Sequence, residues 1–537
     1  MVLCSKLQVP LPQKGIIIRK TGKHQYVYKV LKTYRNQNNQ PTNTRITIGK
    51  IDPKTNMLIP NNTYWQHYNN TTQTTTNTPT TTYTSIHTIG ATYLIEKLLQ
   101  NLKITNILNN TFGEEKTQNI TTATKYITTQ GNILEHIQTW CQTHTLHDPP
   151  LTSPGASQLF ATITNEEKML FFKAWLALQP ENQYYAYDVT SFSSYSTNIA
   201  ETEWGYNRDK EKLPQINVGC YLGQKSGLPA FYVTYPGSIV DKSHLPYMMA
   251  YNTVLGVQNA CFVMDRGFCS ADNIQFMHAK QLSFILGVEL DWAEFSDAVL
   301  GVREGLVSMR YRVGEGVYGC GVSGCFFGVL GVLHVYFDAD LAERKRCLLF
   351  RRVEVLEQRL GQLVQLTKRE ARVFRRYFKV ELFEDGAFKF ERDYDRIDGL
   401  ARNCGFFGLF TNVLDVCSVE ALLVYRRRDV LEKGFDDLKN FLDMRRLRVH
   451  SSGVLDGKLF CAFISLIVVS ELSRRLGGFL RDRSMSKAGV FLELEKVKVV
   501  LMSDGNRLLN PLTKTQRTIF EACGLSEEDL KKYVTNK

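Results

Sequence analysis

V-Y-R-R-R-D-V-L-E-K-G-F-D-D-L-K, residues Val424–Lys439, is the stretch on which the reading of the whole chain turns. At about 100° per residue, Tyr425, Arg428, Glu432 and Lys439 fall within roughly 60° on one helix wall, so one acid sits among two cations and a phenol. Leu431, Phe435, Leu438 and Leu442 occupy a second sector of the same helix, which anchors it to a core and turns the polar wall toward a cleft. Most charged helix faces are only solvated surface. Two further acids upstream change that reading.

Between Glu181 and Glu289, strand-like and helical runs alternate: Y-Y-A-Y-D-V-T, I-N-V-G-C-Y-L-G, P-A-F-Y-V-T-Y, a helix from about His244, then A-C-F-V-M-D-R-G-F, a helix from about Ser270, and L-S-F-I-L-G-V. Three strands, a helix, a strand, a helix and a strand predict a mixed α/β sheet. This pattern puts Asp188 and Asp265 at the ends of the first and fourth strands. Two such aspartates and a glutamate on a nearby helix are able to hold two hard divalent cations, Mg²⁺ or Mn²⁺, for in-line attack on a phosphodiester. Taken singly, an aspartate at a strand end is more often a turn or cap residue. Asp241, Asp436 and Asp437 are the competing acids, and Asp436 lies one helical turn beyond Glu432; the spacing to Arg428 and Lys439 is centred on Glu432.

Composition limits the partners. Sixty-five Lys and Arg against 53 Asp and Glu give net +12, the sign expected for a polyanion partner. Twelve cysteines without a Cys-x-x-Cys or a companion histidine read as reduced thiols in a cytoplasm rather than a zinc site or a disulfide framework. The 10 histidines show no pairing with a nucleophile elbow. No secretory signal is expected from the first ten residues, and the glycine-rich run Val317–Phe337 and the short apolar run Leu459–Val469 read as core, not membrane.

The expected organisation is a small basic β-rich domain over 1–68, a flexible Thr/Asn-rich linker over 69–84, and a helical module over 85–180. The α/β core follows over 181–289, is interrupted by an insertion domain over 290–402, resumes over 403–480 with G-F-F-G-L-F-T-N and the Glu432 helix, and leaves a tail domain over 481–537. Arg19, Lys20, Lys23, Lys29, Lys32, Arg35, Arg45 and Lys50, interleaved with Tyr26, Tyr28 and Tyr34, make the first domain a candidate DNA-binding face. The basic run Arg344–Arg376 is a second candidate.

Y-x2-R-x3-E-x6-K, met by Tyr425, Arg428, Glu432 and Lys439, together with D-V-T at Asp188 and D-R-G-F at Asp265, resembles the DDE transposases of bacterial and archaeal insertion sequences. L-K-N-F-L-D-M-R-R-L-R-V-H and D-G-K-L-F-C-A-F-I-S-L-I extend the likeness over most of the chain, least in the first 150 residues. The resemblance implies an RNase H-like core in which Asp188, Asp265 and Glu432 bind two divalent cations, and in which Tyr425, Arg428 and Lys439 contact transposon-end phosphates. It implies cut-and-paste transposition, commonly through a DNA hairpin with a flipped base, for which Trp204 and the aromatics of the insertion are candidates. The partners it implies are the terminal inverted repeats and target DNA, with a homodimer in a synaptic complex, no membrane, and a cytoplasmic, nucleoid-associated location. Two alternatives remain: an inactive DNA-binding repressor descended from such an enzyme, and a nuclease of the same fold without strand transfer. All three acids are present, which disfavours the first; a plain nuclease has no need of the Tyr425, Arg428 and Lys439 set.

Overall fold

Alternating β-branched and aromatic residues in I-I-I-R-K-T, H-Q-Y-V-Y-K-V-L-K-T-Y-R and P-T-N-T-R-I-T-I-G-K-I form β1 (Ile16–Thr21), β2 (His24–Arg35) and β3 (Pro41–Ile51), which with β4 (Leu58–Pro60) build an antiparallel sheet in sequential order. Val27, Ile48, Ile51 and Leu58 form its small core. The computed structural model describes residues 8–22, 24–35, 40–68, 82–257, 260–290 and 292–535; the expected linker therefore lies, apart from 82–84, outside the described residues. The chain forms two units, one of residues 1–85 with 499–511, the other of 86–498 with 512–537. A second, three-stranded sheet pairs β5 (Tyr83–Thr88) with strands from near the C-terminus, as given below.

The second unit is built on nine strands. β6 (Tyr184–Ser193), β7 (Gln215–Gly223) and β8 (Pro229–Pro236) are antiparallel neighbours; β9 (Cys261–Met264) and β10 (Ser283–Val288) run parallel to β6 on its other side. Beyond them come β11 (Arg312–Gly314), β12 (Val317–Phe326) and β13 (Val329–Asp338). The strand after the two-stranded β14 (Phe378–Leu382) and β15 (Phe388–Arg392) hairpin is β16 (Phe406–Thr411), which is antiparallel to both β10 and β13. The order is β11-β12-β13-β16-β10-β9-β6-β7-β8. Every residue of β7 is buried, as expected for a strand covered on both faces. β17 (Lys498–Met502) and β18 (Arg507–Leu509) complete the three-stranded sheet, in the order β18-β17-β5.

Three expected boundaries are corrected. Residues 290–402 are not one separately folded insertion: β13 pairs with β16 from Val332↔Thr411 to Phe337↔Phe406, so β11–β13 extend the main sheet. Only the part from the Ala339–Gln362 helix to the Tyr394–Arg402 helix closes a core of its own, around Val353, Leu360, Phe374, Phe378 and Ile397. The helical segment over 85–180 is not a separate module either, because the 31-residue Ser452–Asp482 helix packs into it. A Cβ on Gly457 would lie 2.2 Å from the Phe160 carbonyl oxygen, and Ser465 Oγ donates to Thr124 O at 3.3 Å. That helix is long and apolar enough to cross a membrane, and 78% of its apolar window is buried in this core. Nor is 481–537 a tail domain: 499–511 belong to the first unit, while in the second Phe520 meets Tyr93 edge-on with ring centres 5.8 Å apart and Tyr533 lies tilted against it at 4.9 Å.

Candidate active site

Asp188 is the fifth of ten residues in β6, not its end, because T-S-F-S continues the pairing with β7 as far as Ser193↔Gln215. Asp265 follows the last residue of β9, where the chain turns into a short 3₁₀ segment. Parallel pairing of β6 and β9 brings Tyr187 opposite Met264, so the two aspartates emerge side by side. Each carboxylate is fixed by the next peptide: Val189 N–H donates to Asp188 and Arg266 N–H to Asp265, both at 2.8 Å.

Val424–Lys439 is not one helix. The Ser418–Arg426 helix ends in a tight turn, the Asp429–Asp436 helix follows, and Asp437–Phe441 is a π-helical turn closed by Leu442 N–H donating to Asp437 O at 2.8 Å. The apolar sector behaves as the sequence predicts. Leu431, 1% exposed, packs on Ala186 of β6 and Leu222 of β7 with Phe435 beside it, an anchor worth roughly 1.5–3 kcal/mol. Glu432 is thereby held over the strand that carries Asp188.

The Arg428 guanidinium sits among the three acids, 3.3 Å from Asp188, 3.4 Å from Glu432 and 3.9 Å from Asp265. Tyr425 Oη donates to Asp265 Oδ1 at 3.0 Å, and the guanidinium lies over the Tyr425 ring at 5.5 Å. Burial pushes the Asp188 carboxyl up to about 6, against the pull of the Val189 N–H and Arg428. Burial and the Asp265 charge raise the Tyr425 phenol, so it stays a donor. Arg428 Nε is buried without a partner among the described residues.

Lys439 is not brought to the acids. The π turn is wider than an α turn, so the phase extrapolated at 100° per residue no longer holds there. Lys439 Nζ instead pairs with Asp209 at 2.7 Å with its side chain 9% exposed, tying the helix to the loop after β6. The competing acids are otherwise engaged: Asp241 with Arg208 and Tyr235, Asp437 with Lys487, and Asp436, on the exposed side, with Asn440. Trp204 is 67% exposed on the 194–214 connection. On the small N-terminal sheet Arg45 lies over Tyr28 at 5.2 Å and Lys29 over Tyr68 at 4.2 Å.

Gly287 of β10 went unnoticed in the sequence. A Cβ there would lie 2.8 Å from Tyr425 Oη and 2.9 Å from Arg266 N, so the absence of a side chain is what lets the phenol and the turn reach Asp265. G-V within an apolar strand carries no mark of this role.

Residues 180–468, more than half of the chain, match the family described as "Transposase DDE domain". The chain belongs to the DDE transposase family. The matched span contains Asp188, Asp265, Glu432 and the residues around them. No curated protein matches the chain. Among solved structures, the piggyBac transposase synaptic complex with hairpin DNA is similar at 8% identity and a TM-score of 0.31, over 70% of this chain; the chain spans 62% of the length of that one.

Transposases of this family generally use divalent metal ions. Among the described residues no group of three or more His, Cys, Asp or Glu is gathered closely enough to hold one. The donor set nevertheless suits such ions. Three carboxylates face a single guanidinium, and burial holds Asp188 at a raised pKa that additional positive charge would bring down.

Proposed function

We propose that this transposase binds the ends of its own mobile element and cleaves and joins DNA there, on an RNase H-like sheet, with Asp188, Asp265 and Glu432 as the ligands of two divalent cations, Mg²⁺ or Mn²⁺. The observation that carries the reading is the convergence of these acids, far apart in sequence, on one guanidinium within the span that matches the family. When bound, the cations supply activation of a water or 3′-hydroxyl and stabilisation of the leaving oxygen. Asp265 is aimed by Tyr425 and by the Arg266 N–H, and Asp188 by the Val189 N–H, so two donors are oriented before any ligand arrives. Arg428 holds the carboxylates together and presents a planar, bidentate donor to a phosphate. Lys439 acts by fixing the helix to Asp209, which supports a positioning role. End binding draws on the net charge of +12, with inverted repeats and target DNA as partners, a dimer as the synaptic unit, and action at the nucleoid in the cytoplasm.

The test compares Glu432→Gln with Asp436→Asn on a labelled duplex of the element's terminal sequence in Mg²⁺, with binding followed at fixed salt. Glu432→Gln should abolish cutting and keep binding, whereas Asp436→Asn should cut within a few-fold of the parent. Near-normal cutting by Glu432→Gln overturns the assignment; binding without cutting by the parent favours the repressor reading.

A further inference from the structure

A cavity of about 740 Å³ lies at the far end of β6, between Ser193–Asn198 and Arg446–His450, within the ~300–1,000 Å³ range of pockets that enclose a small molecular group. Its walls are built into the fold. Ser193 bridges Arg446, Leu447 N–H donates to Ser193 O at 3.2 Å, Ser193 N–H donates to Arg445 O at 3.3 Å, and Asn132 Nδ2 donates to the Arg446 carbonyl. Ser194 Oγ accepts from Ser196 N–H at 3.0 Å and Ser196 Oγ from Asn198 N–H at 3.2 Å, so each hydroxyl keeps its own proton to donate. Tyr195 is 75% exposed, with the Arg446 guanidinium over its ring at 5.3 Å.

Beneath the wall lies an unusual charge. Lys458, 1% exposed, donates only to backbone carbonyls, Leu447 O at 3.0 Å and Arg448 O at 3.5 Å, and no carboxylate pairs with it among the described residues. Burial and the neighbouring Arg448 lower it to about 7. A buried ammonium without a carboxylate is costly, and an anion in the cavity would offset that cost. Lys458 is not itself part of the lining but lies behind the Leu447–Arg448 backbone, and Asp443 offsets its charge in part while pairing with Arg448. Among the lining side chains Arg446 pairs with Glu211, and His450 is exposed.

We infer that this cavity is a DNA phosphate subsite, which takes one phosphodiester of the strand held at the acid cluster and rests an adjoining base or sugar on Tyr195. The inference rests on the proposed function. Ser193 is five residues from Asp188 along β6, about 17 Å at ~3.3 Å per residue, or about five steps of ~3.4 Å along a DNA strand. A free phosphate has the same chemistry, so the test separates the two.

The full-length protein is titrated without metal against a fluorescent duplex of the element's terminal sequence, and against duplexes with single methylphosphonates stepped away from the scissile bond. The variant is Arg448→Asn with His450→Gln; both side chains are at the surface, and asparagine accepts the left-handed backbone of position 448 (φ 50°). Lys280→Gln, at the exposed end of another helix, controls for general loss of charge. The double variant should bind about tenfold more weakly than the parent, with a salt slope shallower by about one. One methylphosphonate four to six nucleotides from the cut should weaken the parent and leave the double variant unchanged. A double variant that loses no more than Lys280→Gln, or equal methylphosphonate profiles for both proteins, overturns the inference. Inorganic phosphate that quenches Tyr195 while the methylphosphonate profile stays flat also overturns it, in favour of a free-anion site. A parent that shows the profile but does not cut leaves the subsite standing and overturns the cleavage reading instead.

Discussion

Asp188→Asn should stabilise the metal-free protein while abolishing its chemistry. The Asp188 carboxyl has a raised pKa in the folded chain, about 6 against the ordinary aspartate value of 3.8, because burial outweighs the Val189 N–H and Arg428. An acid whose folded pKa is raised holds its proton longer when folded, so stability is highest below the unfolded value and falls as pH rises from about 4 through about 6. At 1.36 kcal/mol per unit, the ionised carboxylate costs about 3 kcal/mol at pH 7.5 as an upper bound, and about half of that at pH 5. Asparagine has the shape of the protonated acid and no charge to desolvate. Urea unfolding in EDTA should therefore show the variant more stable by up to about 3 kcal/mol at pH 7.5, with the gap closing toward pH 4. Added Mg²⁺ should stabilise the parent and not the variant, because only the parent keeps the carboxylate proposed as a ligand. A variant less stable than the parent at pH 7.5, or a gap that does not change with pH, would refute the reasoning.

Arg428→Gln leaves three carboxylates facing one another. With the guanidinium 12% exposed but its partners more open, we expect a loss of about 2 kcal/mol in EDTA and a larger rise in melting temperature on adding Mn²⁺ than the parent shows; equal responses would contradict a shared place for guanidinium and cation. Gly287→Ala drives a methyl against Tyr425 and the Arg266 backbone, so it should cost about 1–3 kcal/mol by calorimetry and slow cleavage; a wild-type melting temperature and rate would count against the close approach. Lys439→Ala breaks a nearly buried pair with Asp209 and should lower stability by about 3 kcal/mol with the salt slope of DNA binding unchanged; a slope shallower by one without loss of stability would make Lys439 a phosphate contact.

The placement of the three acids together and the apolar anchor were legible because they depend on local pattern: a strand run through Asp188, another ending just before Asp265, and a helix whose Leu431 sector meets a core. Where reading failed, long-range pairing decided. β13 shows the same glycine and valine pattern as any insertion strand, and only its register with β16 makes it part of the main sheet. Lys439 was misplaced because a π turn leaves no signature in residue type. Gly287 was missed because its role is the space it leaves for groups from two other segments. The 85–180 segment looked separate because its partner, the Ser452–Asp482 helix, comes some three hundred residues later.

Arg428 meets Asp188 across 240 residues of chain, and this separation sets a timetable for synthesis. At roughly 5–20 residues per second, on the order of ten to fifty seconds pass between the emergence of the first acid and that of the guanidinium that holds it. For that interval the nascent sheet holds its aspartates without the Arg428 guanidinium or Glu432. A message cut short between the first sheet and codon 428 yields a chain that keeps the basic sheet of β1–β4 and lacks both Arg428 and Glu432. Where the basic sheet binds the element's ends as proposed, premature termination would make competitors of the full-length product rather than weaker copies.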